Sequence, residues 1–468
     1  MKLVFKFGGT SLADGDRIRH AAELVAKHLR ENKIAVVCSA MGDTTDNLID
    51  GLEAALSGDK KRIDELLSEL CNLHFEAVEK AVSVDGVREE VYSKISEDIE
   101  SLRQVLYSIY YLKEATPRTR DYVLSFGERM STKIMYGALK SLGVDARYLE
   151  GGEAGIVTDS SFGEAVPIME TTLKLVRERV GELLDKNVTP VITGFIGVNE
   201  DGVITTLGRG GSDYTATLIA YGVGADEVWL WSDVDGLMTS DPRIVSDAKV
   251  IPEISFEEAM EMALFGAKGL HPRALEPARM GRIKVRIKNT FNPSAPGTFI
   301  SETAKGFDSV VKAVLLVKDV AMITLRGSSV VGRAGTAGRI LSELGRLGVN
   351  VMMISQSVSE SAMSFIVKKR LSSLAVSELE NEFVKTGLLK EIECEPDVVV
   401  VAVVGEGMRG TPGVASRVFG AVAKRGINIR MIAQGSSELN ISFVVKEKDG
   451  VEAVRAVHEE YGLGGLKS

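Results

Sequence analysis

The first residues with an obvious chemical use stand near the amino terminus, where Lys6-Phe7-Gly8-Gly9-Thr10-Ser11 follows a short apolar run and precedes a helical pattern. Successive backbone N–H groups in such a turn, with a lysine charge beside them, can face a bound polyphosphate. The Gly-x-x-x-x-Gly-Lys-Ser/Thr spacing is absent, so this is no Walker A loop, and the same residues also suit an ordinary turn. A second cluster, Thr205-Thr206-Leu207-Gly208-Arg209-Gly210-Gly211-Ser212-Asp213, again lies between a strand and a helix expected from about Tyr214. Arg209 can grip a carboxylate through two parallel hydrogen bonds, and Asp213 can orient a lysine or a magnesium-bound phosphate. The alternative is that Ser212 or Asp213 caps the helix. The polar stretch Ser232–Arg243 follows the strand pattern Val228–Trp231, and ligands of open α/β sheets bind beyond the carboxyl ends of strands. Its Asp235 and Asp241 also suit plain turns. Phe265-Gly266-Ala267-Lys268-Gly269-Leu270-His271-Pro272 adds a second lysine able to meet phosphates. Ser125-Phe126-Gly127-Glu128-Arg129 and Ser39-Ala40-Met41-Gly42-Asp43-Thr44-Thr45 offer hydroxyls and a carboxylate for the charged ends of an amino acid.

The elements that must position these groups follow from the alternation of apolar runs. Short β-branched runs at Leu3–Phe7, Ile34–Cys38, Thr189–Ile196, Glu227–Trp231 and Lys284–Lys288 alternate with helical patterns, which predicts a mostly parallel sheet with helices on both faces. The stretch from about Thr45 to Thr119 carries Leu, Glu, Lys and Arg at helical spacing and reads as a helical excursion serving as scaffold. With 468 residues, 45% of them hydrophobic, the chain has material for two or three domains. A formal charge of -9 with scattered basic residues argues against nucleic acid and for a small-molecule ligand. Cys38, Cys71 and Cys394 form no close-set pair, so a reducing cytoplasm is the expected compartment and the thiols read as small core residues. The longest apolar run, Val398–Val404, has the length of a strand and not of a membrane span.

Beyond residue 305 an internal repeat appears. Gly335, Arg339, Gly348, Asn350, Ile354, Gln356, Ser364, Phe365 and Val367 recur 78 positions later as Gly413, Arg417, Gly426, Asn428, Ile432, Gln434, Ser442, Phe443 and Val445. Each copy reads as the early course of a βαββαβ module. The second copy ends too soon, whereas an extra strand candidate, Ser309–Val317, precedes the first. The two modules are therefore expected to share or exchange a strand.

Taken together and in order, Lys-Phe-Gly-Gly-Thr-Ser, Ser-Phe-Gly-Glu-Arg, Thr-Thr-Leu-Gly-Arg-Gly-Gly-Ser-Asp-Tyr, Asp-Pro-Arg and Phe-Gly-Ala-Lys-Gly-Leu-His-Pro closely resemble aspartate kinase. Gln434–Ser442 resembles the second ACT module of that family, so the likeness covers nearly the whole chain. It implies an α/β fold: an amino-acid-kinase, carbamate-kinase-like three-layer sandwich over residues 1–304, then ferredoxin-like ACT domains over 305–392 and 393–468. It implies a monofunctional enzyme, with no room for a fused homoserine dehydrogenase, that uses ATP and magnesium to convert L-aspartate to 4-phospho-L-aspartate, the first step toward lysine, threonine and methionine.

Carried over by motif, Lys6, Phe7, Gly8 and Gly9 would hold the ATP phosphates, Lys268 would meet them from the nucleotide side, and Asp213 would organise the two lysines. Ser39, Thr45, Glu128, Arg209 and Ser212 would hold aspartate, with Glu128 on the α-ammonium and Arg209 on the α-carboxylate. Ser232, Asp233, Met238 and Arg243 would line the nucleotide site, Met238 standing where the family usually has tyrosine. An attacking β-carboxylate is already ionised at neutral pH, so alignment and charge cancellation suffice without a general base. That leaves His271 structural, and no all-protein metal cage is visible. The ACT likeness implies feedback by threonine, lysine or both. Asn350, Gln356, Asn428 and Gln434 are the polar groups for an effector, on the argument that a glutamine buried at the same place in both repeats needs partners. Ala362 stands where the second repeat has Asn440, so unequal binding is expected. Paired ACT modules expose sheet edges, which predicts a homo-oligomer. Two other readings remain open: a kinase acting on another amino acid such as glutamate, and a non-catalytic amino-acid sensor, against which the retained Lys6, Arg209, Asp213 and Lys268 argue.

Overall fold

The apolar runs pair into an eight-stranded sheet. In spatial order it contains Ala146–Leu149 (β3), Thr189–Thr193 (β5), Lys33–Cys38 (β2), Lys2–Phe7 (β1), Glu227–Ser232 (β8), Lys284–Asn289 (β10), Thr298–Ser301 (β11) and Glu253–Ser255 (β9). Every neighbouring pair is parallel except β10 with β11. The computed structural model describes residues 1–267, 270–304, 309–327, 335–356 and 362–465. The chain divides into two compact units, the first formed by Met1–Leu237, Pro252–Phe256 and Lys268–Lys305, the second by Met238–Ile251, Glu257–Ala267 and Gly306–Ser468.

Strand periodicity decides what β1 offers each face. Leu3, Phe5 and Phe7 enter one core with Ile34, Val36 and Cys38 of β2 and with the helices Gly15–His28, Lys60–Ala81, Asp85–Leu112 and Pro117–Ser141. Lys6 therefore points to the opposite face, where the helix Gly211–Val223 packs on β1. The helical excursion is built as expected, and its last helix carries Glu128.

One expected strand is two. Thr189–Ile196 breaks at Gly194-Phe195, and the chain resumes as Ile196–Asn199 (β6), which joins Val157–Thr158 (β4) and Ile204–Thr206 (β7) in a separate three-stranded sheet. The cause is local. A Cβ on Gly194 would lie 2.6 Å from the Ser212 side chain, and Phe195 has φ +67°, so the backbone turns where helix Gly211–Val223 begins.

In the second unit both repeats build one antiparallel sheet in the order Met353–Gln356 (β13), Ala362–Lys368 (β14), Ala313–Arg326 (β12), Glu391–Val404 (β15), Asn440–Lys446 (β17) and Met431–Gln434 (β16). The extra strand candidate is not separate: it is the first half of the 14-residue β12. Register shifts near Val320, with Asp319 at φ +58°, divide β12 into two arms. Ala313–Val317 lies against Val400–Val404, the arm of β15 that pairs with β17, while Val320–Arg326 pairs with β14. Gly335 and Gly413 precede their helices at φ +87° and +86°, a left-handed conformation that suits glycine at both.

Two stretches that precede the repeats in sequence belong to this unit. Val245 packs into the core of the second module with Val314, Val403 and Phe443. Among the described residues no helix is long and apolar enough to cross a membrane.

Candidate active site

A cleft of about 310 Å³ in the first unit is lined by Lys6, Gly9, Ser39, Ala40, Gly42, Thr45, Glu128, Phe195 and Gly208–Asp213. It thus gathers Lys6, Ser39, Thr45, Glu128, Arg209, Ser212 and Asp213 from four sequence motifs. Lys6 comes from the end of β1 and Asp213 from the first turn of helix Gly211–Val223, and their Nζ and Oδ1 lie 2.6 Å apart with each side chain only about an eighth exposed. Asp213 is therefore an ion-pair partner. The cap position of that helix is Gly210, at φ +72°, with no capping side chain.

The glycine turn differs in detail from expectation. Gly8 N–H is committed to Trp231 C=O at 3.2 Å, and Ser11 N–H to Gly8 C=O at 2.9 Å. The amides of Gly8 and Ser11 are thus taken, which leaves those of Gly9 and Thr10 as the turn's candidates for a phosphate. The Phe7 side chain is buried and stacks on Trp231, so Phe7 can serve a nucleotide only through its backbone. A Cβ on Gly9 would meet Ala40 C=O at 3.0 Å and Gly42 C=O at 3.1 Å, which is why the turn and the Ser39–Thr45 loop can lie so close.

Glu128 is the most unusual group of the cleft. It is 4% exposed, Oε1 accepts the Ala40 N–H at 3.2 Å, and Oε2 has no hydrogen-bond partner among the described residues. Burial pushes its carboxyl up to about 8, against smaller opposing pulls from the Ala40 N–H and the Lys6 charge. Its helix is held by ion pairs the sequence did not reveal. Arg129 meets Asp98 at 3.1 Å and Glu150 at 2.8 Å, and Lys133 pairs with Asp98. A second positioning group, Asp121, is buried and accepts from Gly163 N–H, Thr206 N–H and Thr206 Oγ1 at 3.0, 2.8 and 2.9 Å. It fixes β7 just before Arg209, which is itself exposed at the rim. Neither Asp98 nor Asp121 stands in a recognisable pattern. His271 packs against Gly210, and burial, with Arg273 adding to it, lowers its pKa.

Ser232 and Asp233 lie at the end of β8, next to the glycine turn at the end of β1. Met238 and Arg243 fall in the second unit, where Met238 bridges Val250 and Arg243 pairs with Asp241 at 2.6 Å. Lys268 lies outside the described residues. Gln356 and Gln434, expected to be buried, are exposed, as are Asn350 and Asn428. Gln356 and Gln434 end β13 and β16, the first and last strands in the order of the sheet. Neither glutamine is therefore a buried group in need of a partner. No group of three or more His, Cys, Asp or Glu able to hold a metal occurs among the described residues.

The amino acid kinase family matches residues 1–289, and the ACT domain matches residues 323–383 and 401–461. Aspartokinase 1, chloroplastic, of Arabidopsis thaliana is 35% identical over 467 residues, which cover 99% of this chain and 80% of that protein. The chain belongs to the aspartokinases of the amino acid kinase family. E. coli aspartokinase III in complex with aspartate and ADP superposes with a TM-score of 0.82 at 30% identity, covering 98% of this chain and 99% of that one. The same enzyme in complex with lysine and aspartate gives a TM-score of 0.81, with the same identity and coverage. This aspartokinase is therefore an α/β kinase followed by ACT domains.

Proposed function

We propose that this aspartokinase transfers the γ-phosphoryl group of ATP to the β-carboxylate of L-aspartate, giving 4-phospho-L-aspartate for lysine, threonine and methionine synthesis. The observation that carries the reading is Glu128, a buried carboxylate with one oxygen unpartnered among the described residues, in the same cleft as Arg209 and Lys6. An α-ammonium group satisfies that oxygen and Arg209 takes the α-carboxylate, with Ser39, Thr45 and Ser212 as hydroxyl partners. The β-carboxylate is then left free. One of its oxygens bonds to the γ-phosphorus as the bond from that phosphorus to the β,γ-bridging oxygen breaks, and ADP leaves with the electron pair. Lys6, held by Asp213, cancels charge on the transferring group, with Lys268 assigned to the same task. Ser232, Asp233, Met238 and Arg243 are assigned to the nucleoside, and Phe7, Gly8 and Gly9 to the turn beneath the phosphates. Magnesium is assigned to enter with ATP as part of the substrate.

Feedback by lysine, threonine or both is assigned to the ACT modules, with Asn350, Gln356, Asn428 and Gln434 as binding groups. A second copy of the chain is the proposed cover for the two sheet edges, where the repeat-related Ile354 and Ile432 are both exposed. The test is ATP-dependent hydroxamate formation from aspartate and from glutamate by wild type and Lys6→Ala, with and without lysine and threonine. Lys6→Ala is expected to lose about 10²–10³ in turnover. Faster reaction with glutamate would overturn the acceptor, and lysine or threonine binding without ATP turnover would favour a sensor.

A further inference from the structure

The glycine turn and the loop beyond β8 are fastened by a segment belonging to neither. β10 ends at Asn289, in register with Ser232, and the Thr290 N–H continues the ladder by donating to Ser232 C=O at 2.9 Å. From this one strand end two side chains reach different parts of the nucleotide half. Thr290 Oγ1 lies 2.7 Å from Ser11 Oγ, with both residues fully buried, and His20 Nε2 donates to the Thr290 carbonyl at 2.9 Å. Asn289 Nδ2 donates to Asp235 Oδ1 at 2.8 Å, and Asn292 Nδ2 donates to the same oxygen at 3.1 Å. The Asn289 Oδ1 is occupied by the Phe291 N–H at 2.9 Å, which sets the amide so that its nitrogen faces Asp235. The far end of the loop is closed by Leu237 N–H on Thr298 Oγ1 at 2.8 Å.

A loop without regular structure must otherwise be ordered when its ligand arrives, at a cost in affinity. Fastening it beforehand removes that cost from the binding step. We propose that Asn289 and Thr290 are positioning residues for the nucleotide: Thr290 sets the phosphate turn through Ser11, and Asn289, with Asn292, sets the Ser232–Leu237 loop through Asp235. Phosphates and nucleoside are thereby held at one spacing, while the acceptor side is left alone. The inference rests on the nucleotide assignment made under Proposed function. A purely structural role would lower the melting temperature without preference between substrates. Positioning affects ATP selectively.

The experiment uses full-length wild type, Thr290→Val, Thr290→Ser and the double variant Asn289→Ala/Asn292→Ala. Initial rates are measured with each substrate varied, and ATP affinity by calorimetry without aspartate. Loss of one such hydrogen bond is expected to raise the KM and Kd for ATP about fivefold, with the aspartate KM within about twofold and Thr290→Ser restoring the wild-type value. Unchanged ATP affinity in cooperatively melting variants overturns the proposal, as do equal rises in both KM values. Should Thr290→Val fail to fold, the exposed Asn292→Ala decides by the same measure. Wild type that binds ATP yet transfers nothing to aspartate defeats the acceptor reading alone, because the Kd comparison still decides the role of Asn289 and Thr290.

Discussion

Glu128 in the first compact unit and Glu258 in the second are both buried helical carboxylates, at 4% and 0% exposure. Glu258 Oε2 meets Lys312 Nζ at 2.7 Å, and its Oε1 accepts the Glu406 N–H at 2.6 Å. Glu128 has a single N–H on one oxygen and nothing on the other among the described residues. Burial alone therefore does not separate structure from function; the completeness of the partners does. A satisfied buried charge ties elements together, whereas one left incomplete in a cleft is directed at a charge that arrives with a ligand.

The largest effect is expected where the partners are complete. Glu258→Ala leaves Lys312 buried without its counter-charge and orphans the Glu406 N–H, which should cost about 3–5 kcal/mol in urea or thermal unfolding. Replacing both members, Glu258→Met with Lys312→Met, should recover the part due to the unpaired lysine while leaving the Glu406 N–H orphaned. Single variants within about 0.5 kcal/mol of wild type would show that the pair does not hold the unit together.

Glu128→Gln should do the reverse, sparing the fold and damaging binding. The neutral amide loses a charge-assisted bond to the ammonium, so the aspartate KM should rise roughly tenfold to a hundredfold. Acidity gives an independent reading. The folded carboxyl titrates near 8 and the unfolded one near 4.5, so between these values the unfolded state sheds a proton that the folded state keeps. The stability due to this group is present below 4.5 and is lost as pH rises toward 8. Over the same range wild type should bind aspartate more tightly as pH rises, since more Glu128 is ionised. Both slopes should vanish in Glu128→Gln, and a pH-independent aspartate KM in wild type would remove Glu128 from the ammonium site.

The same contrast explains what could be read from the sequence. Glu128 sits in a short pattern, Ser125–Arg129, so its candidacy was legible, although its orphaned oxygen depends on burial in the folded chain and was not. Glu258 was silent because its partners lie 54 and 148 residues away and none of the three stands in a motif. Asp98 and Asp121 were missed because they stand in no motif themselves and meet Arg129 and Thr206 only through the fold. The parallel sheet was legible from apolar runs, but the break at Gly194-Phe195 was not, since it comes from contact with Ser212 across the fold. Local pattern also misjudged Gln356 and Gln434, because sheet order, which puts them on edges, is not local information.

The smallest expected effect lies between the repeats themselves. Asn440 Nδ2 donates to Glu261 Oε2 at 2.6 Å within the second unit, on the helix that also carries Glu258. Ala362, its counterpart in the first repeat, has no such group to offer. The difference thus reports which repeat clasps the Glu257–Ala267 stretch, before any question of effector affinity arises. Burial pushes the Glu261 carboxyl up and the Asn440 amide pulls it down, so Asn440→Ala should cost about 1 kcal/mol in urea unfolding and let Glu261 protonate at higher pH. Ala362→Asn should stay within about 0.5 kcal/mol of wild type, because it removes no hydrogen bond that the alanine makes. Equal costs at the two positions would mean that the repeats share the load symmetrically, and that the Asn440 contact is incidental to the way the second module is held.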